Sequence, residues 1–125
     1  FRSGIDSQVK VVRELEDKNT RIQGGNRIDT YDYRITLNNY KSSGVELRLL
    51  DRLPYSENNS IKIELLETNP ELSMDSEYQR TSRKKGMLRW DMELPPNSFD
   101  EDEVVVSYEF TMEYDRNMQI KPIDE

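Results

Sequence analysis

The chain of 125 residues contains neither histidine nor cysteine. Without histidine there is no Ser-His-Asp triad, no Cys-His pair, no imidazole general base and no imidazole ligand for zinc. Without cysteine there is no disulfide scaffold, no thiolate metal site and no thiol nucleophile. The missing cysteine leaves the compartment open, because oxidising and reducing environments both tolerate such a chain. No apolar run approaches the ~20 residues of a membrane-spanning helix. There is no Walker-type phosphate loop and no Gly-x-Gly-x-x-Gly fingerprint; Gly24-Gly25 is too short for either and reads as a turn. No stretch shows a helical period.

What the chain does have is charge and alternation. Charged residues make up 34% and hydrophobic residues 34%, with a net charge of −7. Such a surface disfavours nucleic acid and anionic lipid as general partners. The length fits one domain, able to bury about two-thirds of its unfolded surface without a metal or disulfide staple. Apolar residues recur at every second position in Tyr31, Tyr33, Ile35 and Leu37. The same period runs through Val45, Leu47 and Leu49, through Ile61, Ile63 and Leu65, and through Leu88, Trp90, Met92 and Leu94. It is longest from Val104 through Val106, Tyr108, Phe110 and Met112 to Tyr114. One dry and one wet face is the mark of an antiparallel sheet.

Turn chemistry separates these runs. Residues 38–44 (NNYKSSG) read as a hairpin, residues 54–59 (PYSENN) as a turn, and Pro95-Pro96 ends the tryptophan strand, since proline cannot donate to a ladder. Gly24-Gly25-Asn26 punctuates the front, after a first strand over roughly residues 8–15 in which Val11-Val12 breaks the alternation. Residues 67–85 are polar and without period, and read as a long loop with at most one short strand. These signals predict an all-β domain over residues 1–125, an immunoglobulin-like antiparallel β-sandwich of about seven strands. The chain opens on Phe1-Arg2-Ser3-Gly4 without an initiator methionine, and residues 121–125 look like a departing tail. We therefore expect a piece of a longer chain, whose targeting signals this segment does not report.

Six fragments, in order, carry a resemblance: VKVVREL from Val9, YRITLNN from Tyr33, DRLPYS from Asp51, IKIELLE from Ile61, GMLRWDMEL from Gly86 and YEFTMEY from Tyr108. Together they resemble the domain of unknown function 4139 family, the C-terminal part of proteins resembling mucoidy inhibitor A. DRLPYS and GMLRW are the most specific pieces. The resemblance covers nearly the whole chain. It implies mainly bacterial origin and a parent with an N-terminal domain and a coiled coil ahead of this one, without implying an activity or a ligand. One departure stands out: Asp115-Arg116 follows the last tyrosine, where such domains commonly have Pro-Lys.

Few residues remain that could carry chemistry. Carboxylates number 25, and a glycosidase needs two of them about 5 to 9 Å apart, but the sequence singles out no pair. Asp100, Glu101, Asp102 and Glu103 form the densest acidic run. They are weak candidates for calcium, lacking the ligand spacing and internal glycine of an EF-hand, and a solvated turn is the plainer reading. Arg80, Arg83, Lys84 and Lys85 form a basic knot suited to an anion or to balancing nearby acids. Asp51, just before a proline turn, suits a structural acceptor for turn amides or an arginine. Trp90, the single tryptophan, lies on an apolar face and belongs in the core. Tyr40, Tyr55 and Tyr78 sit in or beside turns, where exposed rings can contact a sugar or a protein partner.

The expected role is a non-catalytic structural or protein-interaction module of a larger bacterial, envelope-associated protein, with no cofactor. Its expected partners are proteins, the rest of the parent chain, or a second copy, with strand addition at residues 104–114 if that strand lies at an edge. Nucleic acid and direct membrane insertion are not expected. A carbohydrate-binding sandwich and a hydrolase using a carboxylate pair are the alternatives.

Overall fold

In a computed structural model, which describes residues 8–56 and 58–118, the core is built on two long neighbouring strands. β2 (Asn26–Asn39) and β6 (Val104–Asp115) lie antiparallel, with Tyr31 opposite Phe110, Tyr33 opposite Tyr108 and Ile35 opposite Val106. All six are buried. Their rings stack across the pair at 5.0 Å for Tyr31–Phe110 and 5.4 Å for Tyr33–Tyr108. Directly opposed aromatic and β-branched side chains of this kind each add about 0.2–1 kcal/mol to a sheet.

β1 (Val9–Gln23) flanks β2 and β4 (Lys62–Asn69) flanks β6, giving a sheet in the order β1-β2-β6-β4. β3 (Val45–Arg52) and β5 (Met87–Leu94) pair as a second, two-stranded antiparallel sheet. Leu49, Leu88, Trp90 and Leu94 of that sheet share one core with Tyr33, Leu37, Val106 and Tyr108 of the first. Trp90 is fully buried and its indole N–H donates to the carbonyl of Pro70 at 2.9 Å. After β2 each strand crosses to the other sheet, as in immunoglobulin-like sandwiches. The predicted all-β antiparallel sandwich is thus what forms, with six strands among the described residues.

Several local expectations need correction. The first strand does not stop near residue 15 but runs to Gln23 and turns back through Gly24 and Gly25, both at positive φ (59° and 86°). Two such residues make the hairpin turn whose twist matches the strands. Residues 16–23 of β1 are exposed throughout, so they carry no alternation to read; pairing with β2, not burial, makes them a strand. Residues 38–44 are not a hairpin. Both sides of β2 are occupied, by β1 and β6, so the chain must cross to the other sheet. Buried Asn39 ties that crossing down, its amide donating to the carbonyls of Ser43 (3.1 Å) and Pro95 (2.9 Å). β6 is an interior strand between β2 and β4, so strand addition at residues 104–114 is ruled out.

Residues 67–85 are not a plain loop either. β4 reaches Asn69, and a helix α1 (Ser76–Arg80) and a 3₁₀ turn (Ser82–Lys85) follow. Asp75 caps α1, its carboxylate accepting from the Tyr78 N–H at 2.9 Å. A helix of five residues is too short to show a period. The tail at residues 121–125 lies outside the described residues.

Candidate functional site

Asp51 shows what this sandwich does with a buried charge. It sits on β3 with 4% of its surface exposed. One carboxylate oxygen accepts from Arg13 Nε of β1 (2.8 Å) and from the Tyr108 hydroxyl of β6 (2.7 Å). The other accepts from the Arg52 N–H at 2.8 Å. The Arg13 guanidinium also donates to the Tyr108 hydroxyl (3.1 Å) and lies 4.0 Å from the Tyr33 ring centroid. Burial pulls the Arg13 pKa down, but hydrogen bonds and charge from Tyr108 and Asp51 outweigh it and the net shift is upward. Burial first, and then the Asp51 charge and hydrogen bond, push the Tyr108 phenol well above its ordinary range. An arginine and the next backbone amide, at the end of β3 rather than in the turn, are both partners of Asp51, an acceptor role of the kind its place in the sequence suggested.

A different site opens where β3 ends. The N–H of Leu53 donates to the carbonyl of Gly86 (2.7 Å), binding the exit of β3 to the end of the 3₁₀ turn. Gly86 takes a left-handed conformation (φ 86°), and a Cβ there would stand 3.4 Å from the Leu53 carbonyl oxygen. This clasp holds Pro54 and Tyr55 on one side and Arg83 and Lys84 on the other above Ile61, Ile63 and Leu65. They enclose an open groove of about 490 Å³. The Tyr55 ring is 53% exposed. β4, which supplies the floor, is an edge strand of its sheet among the described residues.

The structure therefore unites three of the sequence candidates, Tyr55, Arg83 and Lys84, from two distant segments. Arg80 and Lys85 are exposed but do not line the groove. None of the four cations is ion-paired among the described residues; the arginines that are paired lie elsewhere, as Arg13–Asp51, Arg27–Asp29, Arg34–Glu16, Arg48–Asp91 and Arg89 with Asp75 and Asp91.

The other candidates fall elsewhere. Tyr78 is buried, not an exposed loop ring: its hydroxyl donates to the Met87 carbonyl (2.7 Å) and accepts from the Arg89 N–H (3.2 Å). The sequence showed it amid polar residues, but α1 folds it back onto β5. Tyr40 is exposed and stacks on Phe99 at 5.0 Å, at the end of the sandwich where β2 leaves. β3 starts at that end, so Tyr55 at the exit of β3 lies at the other. Asp100, Glu101 and Asp102 form a single 3₁₀ turn. Asn38 pins it, accepting from the Asp100 N–H (2.8 Å) and donating to Glu103 (3.3 Å). These bonds tie the turn to the end of β2, and among the described residues no group of three or more acidic side chains converges in a way that could hold a metal ion.

One arrangement was invisible in the sequence. On the outer face of the larger sheet, Asp32 of β2 stands opposite Glu109 of β6, which stands opposite Glu67 of β4. A hydrogen bond to Asp32, then burial, then the charges of Asp32 and Glu67 push the Glu109 pKa up to about 7. Arg34 and Glu16 flank the row, 3.5 Å apart. Only the pairing register brings these residues together. A hydrogen-bonded carboxyl pair is also closer than the ~5 to 9 Å separation used in glycoside hydrolysis.

Set against known proteins, residues 3–116 match the sequence pattern of the domain of unknown function family DUF4139. The chain belongs to that family. No curated protein and no solved structure matches it. The two fragments that most specifically carried the resemblance, residues 51–56 and 86–90, are neighbours in space: Asp51 pairs with Leu88 and Leu53 bonds Gly86. In this DUF4139 domain the first segment supplies Asp51 to the junction, and both segments contribute to the lining of the groove, through Leu53 to Ser56 and Gly86. No helix among the described residues is long and apolar enough to cross a membrane.

Proposed function

We propose that this domain is a non-catalytic structural and protein-interaction module of a larger bacterial, envelope-associated protein. The observation that carries the reading is the groove beside β4, where an open strand edge, an exposed tyrosine and two cations without ion-pair partners meet. Elsewhere the buried carboxylates are fully used in holding strands together, as Asp51 and Asp29 are. Aromatic and arginine side chains are the residue types that anchor protein interfaces. The bacterial and envelope parts of the proposal rest on the family resemblance alone.

The test is site-specific photo-crosslinking from Tyr55 in the full-length protein, expressed in bacterial cells. The expected result is a discrete adduct with a protein, from another chain or from the parent itself. Turnover of esters, glycosides or peptides by the purified domain, abolished by Glu109→Gln or Asp32→Asn without loss of fold, would replace this reading with the carboxylate-pair hydrolase. Sugar binding on a glycan array that depends on Tyr40 or Tyr55 would replace it with the carbohydrate-binding one.

A further inference from the structure

We propose that the β4 edge receives an extended, acidic polypeptide segment as an added strand, its backbone pairing with residues 62–65 and its carboxylates meeting Arg83 and Lys84. The inference rests on the interaction-module reading and names the partner's chemistry. It begins with the backbone. β6 is the strand partner of β4, and among the described residues no strand lies on the other side of β4. An edge strand presents N–H and C=O groups that another chain can pair with.

The sequence of β4 limits how far such pairing extends. Residues 62–65 keep regular register with β6, and the register then shifts at a bulge between Leu65 and Glu67. A bulge twists a strand edge away from an incoming partner, so the receptive stretch is the first half of β4. That half is the part which faces the groove, with Ile61, Ile63 and Leu65 as its half-buried apolar floor. An added strand points alternate side chains the same way, so apolar residues at every second position would seat on this floor.

Charge decides which polypeptide. The domain carries −7 overall, yet the groove wall presents Arg83 and Lys84 with no carboxylate paired to either among the described residues. Glu64 is the one acid lining the groove among the described residues. Two cations on a rim favour a short acidic segment, whereas the overall charge repels a long polyanion such as nucleic acid. A second copy pairing through residues 62–65 would bring Lys62 along with Glu64, and so no net negative charge to meet Arg83 and Lys84. Among the described residues, no groove along the edges of β1, β3 or β5 joins an apolar floor to unpaired cations in this way.

The probe is a capped nine-residue peptide of alternating glutamate and valine, titrated into the domain while its amide resonances are followed. Binding is expected, with the largest shifts at Lys62, Ile63, Glu64 and Leu65. A lysine-for-glutamate peptide and a peptide N-methylated at alternate amides are expected not to bind. Arg83→Glu with Lys84→Glu should weaken binding about tenfold or more while the melting temperature stays put, and Tyr55→Ala serves as a second variant on the same groove. Failure of the acidic peptide to bind, equal binding of the lysine peptide, or shifts mapping away from β4 each overturn the inference. So does self-association of the domain that these variants abolish, which would assign the edge to a second copy. If the acidic peptide fails while Tyr55 still cross-links a protein partner in cells, the interaction-module reading stands and only the acidic-strand assignment falls.

Discussion

At the junction of β1, β3 and β6, Arg13 and Asp51 meet a tyrosine and a backbone amide, and the carboxylate has three donors around it. Along the β4 edge, Arg83 and Lys84 stand beside exposed Tyr55 with no ion-pair partner among the described residues. The two regions share one chain segment, in which Asp51 and Arg52 serve the junction and Leu53 to Ser56 line the groove. Within the sandwich a charge is stable only when every acceptor and donor is used. Outside it, a charge held in place without a partner contributes nothing to the fold and is free to meet another molecule. The contrast separates residues that hold the strands together from residues that are left for recognition.

The largest effect is expected at the junction. Asp51→Ala leaves Arg13 and the Tyr108 hydroxyl without their common acceptor and should cost about 3 kcal/mol, because breaking a buried pair strands the remaining charge. Arg13 keeps 28% of its side chain in water, which holds the loss at the lower end of the range for such pairs. Urea denaturation measures it, and a loss under about 1 kcal/mol would place Asp51 among ordinary surface charges. Asp29→Asn should rank next, at about 1–3 kcal/mol, since Asp29 accepts from Thr20 (2.7 Å), Arg27 (3.0 Å) and Tyr114 (2.9 Å). Burial alone raises the Asp29 pKa, but those hydrogen bonds outweigh it and the net shift is downward. A depressed carboxylate stabilises the fold above its ordinary value and loses that contribution as pH falls through the folded one. Wild type should therefore lose stability below about pH 4, and Asp29→Asn should lose less over that interval.

Much of this was legible before the structure. The alternation at Tyr31, Tyr33, Ile35 and Leu37, and again from Val106 to Tyr114, marks core strands because one face is dry and the other wet, and all of these apolar residues are buried. Asp51 was legible because a carboxylate beside a proline turn needs donors. What could not be read was pairing. Residues 16–23 are wet on both faces and owe their strand to the Gly24-Gly25 turn. Tyr78 looked exposed because its neighbours are polar, yet α1 delivers it to the core. The groove unites segments about thirty residues apart, residues 54–55 and 83–84, with β4 between them, and no local pattern announces that. The Asp32–Glu109–Glu67 row likewise exists only in the register of three strands.

That row supplies the next prediction. A glutamate whose folded pKa is raised holds its proton more tightly in the fold than in the unfolded chain. Stability should therefore decline as pH rises from the ordinary value of 4.5 through about 7, and then level off. Glu109→Gln should flatten that decline and raise the melting temperature above pH 7, as thermal scans across pH 4 to 8 will register; an unchanged pH profile would dissolve the pair. The smallest stability effect belongs to the groove. Arg83→Glu with Lys84→Glu removes no bond from the fold and should shift stability by no more than about 0.5 kcal/mol.

The comparison between the two regions is tested most directly by melting Asp51→Ala and the Arg83→Glu, Lys84→Glu double variant side by side at pH 7. Asp51→Ala is expected to melt about 10 °C or more below the wild type, and the double variant within about 2 °C of it. A double variant that melts as early as Asp51→Ala would show that the basic wall is part of the framework, and the division between structural and available charge would not hold.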